Sequence, residues 1–522
     1  MSNSVVSFLV KVRDFICPIH RHELIKFIPM QLILFLICFN YSTLRNLKDS
    51  MIITASGAEA IPFIKLWFML PMAIFFTWIY TYLSSRFSQE NVFYILVTGF
   101  LGFFSLFAYV LYPMRELLEP VQSAALLESY FPKATWLVGL YKNWIFSAFY
   151  VMSELWGSIV LNVLFWGFAN EVTRVDESPR FYSVFSIGSN LATILSGLFA
   201  GSFSAVDHAT FDVLSLADKE IVWGQTLHII MSVIIAGSVV MIGLFYWVNR
   251  KVFSSPTYND VHTVYKARGK KKRLSLRESF RILSTSKYLL MIAIMVVAYN
   301  LVINLVEVVW KDQLRALYPD ANQLMSYMTK ITVAQGIIST MTAVLMAKII
   351  KRFGWTTTAM ITPVLIVTTS IGFFVFMFFR ESSSDFVMSL TGFTPLAIAV
   401  FFGAAQNCTS KAAKYSVFDA TKEMAFIPLT HEERLKGKAS IDGVGSRLGK
   451  SGGALIHSGL LMVFSSLAVS APYIAAILMI VICLWIYAIG VLGIEYHRLI
   501  GKPKEERKAD EADVAGILQE LS

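Results

Sequence analysis

The sequence predicts an all-α membrane protein, with twelve transmembrane helices in two pseudo-symmetric halves of six. Three observations lead there. Of the 522 residues, 56% are hydrophobic and only 15% charged, and the mean hydropathy is +0.61. Apolar stretches of about 20 residues recur along the chain, each long enough to cross a bilayer as a helix. Short matches between the two halves fall at the same places in the helix order. The 14% aromatic content suits a chain rich in membrane interface, although core packing gives the same figure.

The elements follow in order. A basic arm occupies residues 1–23. Six spans near 24–47, 61–84, 91–113, 143–169, 180–202 and 225–249 make a first bundle, 24–249. A polar linker, 250–287, carries KARGKKKRLSLRESFR. Six more spans near 288–311, 325–350, 356–379, 387–410, 439–468 and 472–496 make a second bundle, 288–496, followed by a tail at 497–522. Lysine and arginine set the orientation. The arm (Lys11, Arg13, Arg21, Lys26), the linker and the tail (Lys502, Lys504, Arg507, Lys508) are all basic, and an even number of spans puts all three on the cytoplasmic side. The turns at Arg86 and at Lys348, Lys351 and Arg352 fall there too. The acidic loop 203–224, with Asp207, Asp212, Asp218 and Glu220, falls on the other side.

The halves resemble one another weakly. IGSNLA (187–192), which contains Asn190, opens the apolar stretch of the fifth span, and VGSRLG (444–449) holds the same place in the eleventh. Lys48-Asp49 ends the first span and Lys311-Asp312 the seventh. Parallel repeats of six helices are the layout of the major facilitator architecture, with substrate between the halves at mid-membrane.

Several classes are disfavoured. The net charge of +10 follows from basic cytoplasmic loops without any nucleic acid. Cys17, Cys38, Cys408 and Cys483 are scattered and suggest neither a metal site nor a disulfide framework. No cleavable signal or Ser/Arg-rich transit peptide is visible, so the first span is expected to act as the insertion signal. No cofactor is called for.

SIDGVGSRLGKSGG (440–453) looks at first like a phosphate-binding loop ending in Gly449-Lys450-Ser451. The Walker pattern needs a glycine five residues before Gly449, where Val444 stands. It also needs a strand before it and a soluble helix after it, whereas ALIHSGLLMVFSSLAVSA continues as a membrane span. A membrane-anchored ATPase is therefore set aside. Read as a helix, Gly445, Gly449 and Gly453 recur every four residues and make one small face for a neighbouring helix or a ligand. Arg447 and Lys450 sit on a different face. A cation about a third of the way into a span costs roughly 2.5–3.5 kcal/mol on insertion scales, so Lys450 should meet a watery cavity or an anion.

Other charges lie within spans. Glu154 is near the middle of the fourth and Glu307 toward the outer end of the seventh. Arg45 and Lys48 end the first span; Lys411 and Lys414 end the tenth. Lys48, Lys311 and Lys414 either snorkel to the interface or face substrate, and Glu154 either ties two helices together or works in the cavity. Taken together, cations in a low-dielectric cavity suit a polyanion such as a nucleotide's phosphates. The acids can pair with those cations when substrate is absent, or carry a proton if burial raises their pKa. Trp156, Trp310 and Tyr415 lie near enough to stack on a base, although such residues more often anchor an interface.

NYSTLRNLKDS (40–50), GAEAIPFIKLW (57–67), SELWGS (153–158), LVEVVWK (305–311), KYSVFDATKEMAFIPL (414–429) and LGKSGGALI (448–456) together resemble the nucleotide transporter family. Its best-known members are the ATP/ADP translocases of obligate intracellular bacteria and of plastids. The resemblance covers about 18–500. It implies a twelve-helix transporter of major-facilitator type that exchanges a nucleotide across the cytoplasmic membrane, host ATP inward against bacterial ADP outward. It carries family roles onto Lys48 of LKD, Glu154 of ELWG, Glu307 of VEVVWK and Lys450 of GKSGG as first-choice substrate contacts. Arg45, Lys311, Lys411, Lys414, Arg447 and Asn190 follow on charge and position. The family also includes proton-coupled importers of nucleoside triphosphates, and the four charged positions do not discriminate between the two types. The expected partners are ATP and ADP, with phosphate or other nucleotides left open, and the lipid bilayer; the expected functional unit is a monomer. The missing transit peptide points to a bacterial inner membrane before a plastid envelope, with both termini cytoplasmic.

Overall fold

The computed structural model describes residues 19–131, 135–174, 177–204, 213–252 and 286–501. The basic residues of the arm before Arg21, Cys17, Asp207, Asp212, nearly all of the linker and the tail lysines and arginine lie outside them. Every regular element among the described residues is helical.

Among the described residues, ten helices are long and apolar enough to cross a membrane. We label the first nine α1 (Arg21–Ser56), α2 (Ala60–Arg86), α3 (Gln89–Leu111), α4 (Trp144–Val172), α5 (Arg180–Ser204), α6 (Leu216–Val252), α7 (Lys287–Leu317), α8 (Ala321–Met346) and α9 (Lys348–Phe378). α10 (Pro395–Ala425) qualifies only together with Ser384–Thr391, from which it is bent by 71°. α11 is Ser446–Phe464, and α12 (Leu467–Ile500) is the tenth of the qualifying helices. All twelve expected spans thus fall on helices, but ten or eleven meet the length-and-apolarity standard instead of twelve. α11 falls short because Arg447, Lys450, His457 and a set of glycines dilute its apolar residues.

The expected tenth span, 387–410, is two elements. Gly392 takes φ 74°, the left-handed conformation that glycine adopts without strain, and closes the short helix. Thr394 then caps α10 through its hydroxyl, which accepts from the Ala397 N–H, and Pro395 sits in the first turn, where its missing N–H is no loss. Other ends are local in the same way. Ser88 caps α3 by accepting from Asn91 N–H, and Ser215 caps α6 by accepting from Asp218 N–H. Gly57, at φ 85°, stops α1.

Three helices outrun the expected spans, and this matters for the site. α1 continues to Ser56, α7 to Leu317 and α10 to Ala425, whereas charged residues had suggested ends near 47, 311 and 410. Lys48, Lys311, Lys411 and Lys414 therefore lie within helices, not at their ends.

The chain divides into two compact units. One holds Met1–Lys270 with Leu314–Thr340; the other holds Lys271–Gln313 with Met341–Ser522. In the first unit α1 is the hub, packed along α4, α5 and α6. Between α3 and α4 come three short helices, Arg115–Leu118, Val121–Tyr130 and Thr135–Lys142, and Arg115 pairs with Glu220 at the start of α6. In the second unit α11 lies on α7. A Cβ at Gly449 would fall 2.7 Å from the Val297 carbonyl oxygen, and one at Gly453 2.8 Å from the Asn304 Cβ. The glycine face thus serves a helix contact. The first unit has a counterpart, with Gly188 of α5 closely covered by Gln31 of α1, so the fifth-on-first and eleventh-on-seventh crossings use the same device.

Candidate functional site

In the first unit the site residues gather where α1 crosses α4. The Lys48 Nζ donates to Asp49 Oδ1 at 2.9 Å and lies 3.2 Å from Glu154 Oε2. It also sits 3.8 Å from the centre of the Tyr150 ring, within cation–π range. The Lys48 side chain is 3% exposed, Asp49 equally so, and Glu154 29%. Snorkelling is thereby ruled out for Lys48: its ammonium is turned inward and held by two carboxylates and an aromatic face. Glu154 is the half-open member of the group and is also acted on electrostatically by Lys65. The Ser50 and Ser153 hydroxyls beside these residues are buried without a hydrogen-bond partner among the described residues.

Arg45, one turn before Lys48, donates from Nη2 to Gln335 Oε1 at 3.1 Å. Asn46 and Thr332 make a reciprocal buried pair: the amide donates to the hydroxyl at 2.9 Å and the hydroxyl to Asn46 Oδ1 at 3.1 Å. Asn190 is half-buried, and its backbone carbonyl faces Gly336, whose added Cβ would lie 3.2 Å from that oxygen. Each of these contacts is internal to the first unit.

In the second unit one carboxylate serves two lysines. Glu307 Oε1 lies 3.4 Å from the Lys311 Nζ, one turn along α7, and 3.5 Å from the Lys411 Nζ on α10. Lys311 is buried, Glu307 is 15% exposed and Lys411 21%. The group carries more positive than negative charge, and its most accessible member is a lysine. Lys414 is half-buried in the π-helical turn of α10, while Arg447 and Lys450 are exposed on α11, away from the buried Gly449 and Gly453.

The two units solve one problem with the same helices. In each, the first helix (α1, α7) supplies a buried lysine in its C-terminal third, and the fourth (α4, α10) supplies the charge that meets it. The sequence reading found Lys48, Glu154, Glu307, Lys311 and Lys411 but not how they group. Asp49 and Tyr150 belong to the Lys48 group, and the spacing signals the second of them, because Tyr150 precedes Glu154 by four residues and so shares its helix face.

The tryptophans are not base platforms. The Trp156 Nε1 donates to the Ile37 carbonyl at 3.2 Å and the Trp310 Nε1 to the Val400 carbonyl at 3.0 Å. Both are buried, so their faces are spent on packing between helices. The Tyr415 side chain lies outside the described residues. His457, another buried polar group on α11, places Nε2 3.0 Å from the Leu305 carbonyl oxygen and joins α11 to α7.

Known proteins resemble the chain along nearly its whole length. ADP,ATP carrier protein 1 of Chlamydia pneumoniae is 43% identical over 481 residues, covering 91% of this chain and 92% of its own. ADP,ATP carrier protein 1 of Rickettsia bellii is 38% identical, covering 96% and 99%. Among solved structures, a D-xylose-proton symporter superposes with a TM-score of 0.54 at 13% identity, covering 89% of this chain and 96% of that one. The family described as TLC ATP/ADP transporter matches residues 2–496. The chain belongs to the TLC ATP/ADP transporter family.

Proposed function

We propose that this protein exchanges external ATP for internal ADP by alternating access, without hydrolysing either. The observation that carries the proposal is Glu307 shared between Lys311 and Lys411, where two membrane helices meet. Two ammonium groups gathered at one carboxylate lie in a low-dielectric setting, where ammonium groups attract phosphate oxygens strongly. A polyphosphate entering beside Lys411 takes over part of the role of Glu307, and the cluster returns to its internal pairing when the nucleotide leaves. The relatives named ADP,ATP carrier protein supply the identity of the nucleotides.

In this reading Glu307, Lys311, Lys411, Lys414, Lys450 and Arg447 handle the phosphates. Lys48 and Glu154 hold α1 to α4 and open as the nucleotide passes, and Arg45 and Asn190 act with them. The protein lies in a bacterial inner membrane with both termini cytoplasmic and works as a monomer. The competing reading is proton-coupled import of nucleoside triphosphates. The two separate in proteoliposomes: ADP loaded inside should accelerate entry of labelled ATP, and a protonophore should leave entry unchanged. Entry indifferent to internal ADP but abolished by the protonophore overturns exchange in favour of proton coupling.

A further inference from the structure

Where α7 crosses α10, Trp310 fills a notch that only glycine leaves. An added Cβ at Gly403 would lie 2.1 Å from the Trp310 Cδ1 and 2.7 Å from its Cγ, far inside contact distance. The indole is 2% exposed, and on the same edge its Nε1 donates to the Val400 carbonyl at 3.0 Å. A methyl added at Gly403 therefore meets a buried ring that is already held by a hydrogen bond to α10.

That notch is in register with the charged group. Glu307 and Trp310 are three residues apart on α7, and Gly403 and Lys411 eight apart on α10, so each pair shares a helix face. Tyr299, eight residues before Glu307 on α7, donates its hydroxyl to the Ser410 carbonyl at 3.1 Å, which ties the same seam one residue before the lysine. Glu307 thus sits between two aromatic ties on α7, and Lys411 directly follows the second of them on α10. Their 3.5 Å separation is set by how closely the helices approach at Gly403. The first unit carries the same kind of tie. A Cβ at Gly157 of α4 would lie 2.5 Å from the Tyr41 Cε2 of α1, three residues from Glu154.

We infer that Trp310 and Gly403 are positioning residues for nucleotide binding: they touch no substrate but set the spacing of Glu307 and Lys411, and so the charge offered to the phosphates. This rests on the exchange reading above. An added methyl at Gly403 pushes α10 from α7, draws Lys411 off Glu307 and alters the geometry that a polyphosphate meets. A merely structural notch would lower protein yield and leave the affinity of the folded fraction alone.

The test is ATP uptake by the full-length protein in ADP-loaded vesicles, normalised to reconstituted protein. Gly403→Ala should raise KM about tenfold, on the scale of a displacement near 1 Å at a positioned group, with a smaller change in maximal rate. Adding Trp310→Ala to Gly403→Ala removes the Cγ and Cδ1 that the new methyl would strike and should bring KM back to within about threefold of wild type, as expected for coupled neighbours. Trp310→Phe alone, which removes the Val400 bond without crowding, should raise KM modestly, and it provides the readout if Gly403→Ala does not fold. A KM unmoved in Gly403→Ala and in Trp310→Phe, or a rise that the second substitution does not relieve, overturns the inference. Wild-type vesicles without ADP-stimulated ATP entry overturn the exchange reading instead, so the two failures are distinct.

Discussion

Lys48 and Lys450 are both lysines inside membrane helices, yet the structure assigns them opposite responses to the same substitution. Lys48 is sealed between Asp49, Glu154 and Tyr150. Truncating it strands two carboxylates, and loss of one partner from a buried ion pair costs about 3–5 kcal/mol. Lys48→Ala should therefore lower the melting temperature in detergent sharply. Glu154→Gln should cost only about 1 kcal/mol, the scale of one ordinary hydrogen bond, because Lys48 keeps Asp49 at 2.9 Å. Equal losses in the two variants would mean that Glu154, not Asp49, carries the pair. Lys450 is exposed, so Lys450→Ala should retain yield and melting temperature while losing ATP binding, measured by titration of the purified protein. Normal binding would confine Lys450 to helix support. The identities of these residues were legible in the sequence, because a charge in an apolar run stands out. Their depth was not, since hydropathy reads a charge as a boundary; it ended α1 at the very lysine that the fold buries.

At the scale of a helix, the spacing of Gly445, Gly449 and Gly453 announced a contact face but not its occupant. The occupant is α7. Volume added at Gly449 or Gly453 meets the Val297 carbonyl or the Asn300 and Asn304 side-chain roots, which cannot swing away. Gly449→Val should cost about 1–3 kcal/mol through overpacking, read as a lower unfolding temperature. Gly459, with nothing within 4 Å of an added Cβ, is the control. Gly459→Ala should be neutral or stabilise by roughly 0.5–1 kcal/mol, the backbone-entropy gain of alanine over glycine in a helix. A destabilised Gly459→Ala with an unaffected Gly449→Val would place the contact on the wrong face of α11. The break before α10 shows the limit of the same signals. Gly392 and Pro395 stood in the sequence, but apolar residues on both sides join into one run of spanning length, and hydropathy carries no direction. The 71° bend comes from one left-handed glycine and a proline that begins a helix afresh.

Across the whole molecule, the charge balance of the two clusters bears on what the protein carries. Lys48 faces two carboxylates in the first unit, whereas Glu307 faces two lysines in the second. The family motifs run from the first span to the eleventh and were legible in sequence, but this division was not, because it depends on which charges the helix crossings bring within a few ångströms. If the two lysines at Glu307 are where the nucleotide is held, recognition follows phosphate charge more than the base. Each hydrogen bond from a charged group is worth about 1.5–3 kcal/mol, so losing the β-phosphate, the outermost one that ATP and ADP share, should weaken binding roughly tenfold or more. An exchanger must carry both of its substrates, which requires ATP and ADP to compete comparably for labelled ATP uptake. AMP should then compete roughly tenfold or more weakly than ADP, and adenosine should not compete detectably. Lys411→Gln removes the most accessible cation at Glu307 and should shrink the gap between ADP and AMP, because the lost contact is one that AMP never made. Adenosine competing as well as ADP would move recognition to the base and away from the lysines. A wild-type ladder with an unchanged gap in Lys411→Gln would move the phosphate contacts to other cations of α10 and α11.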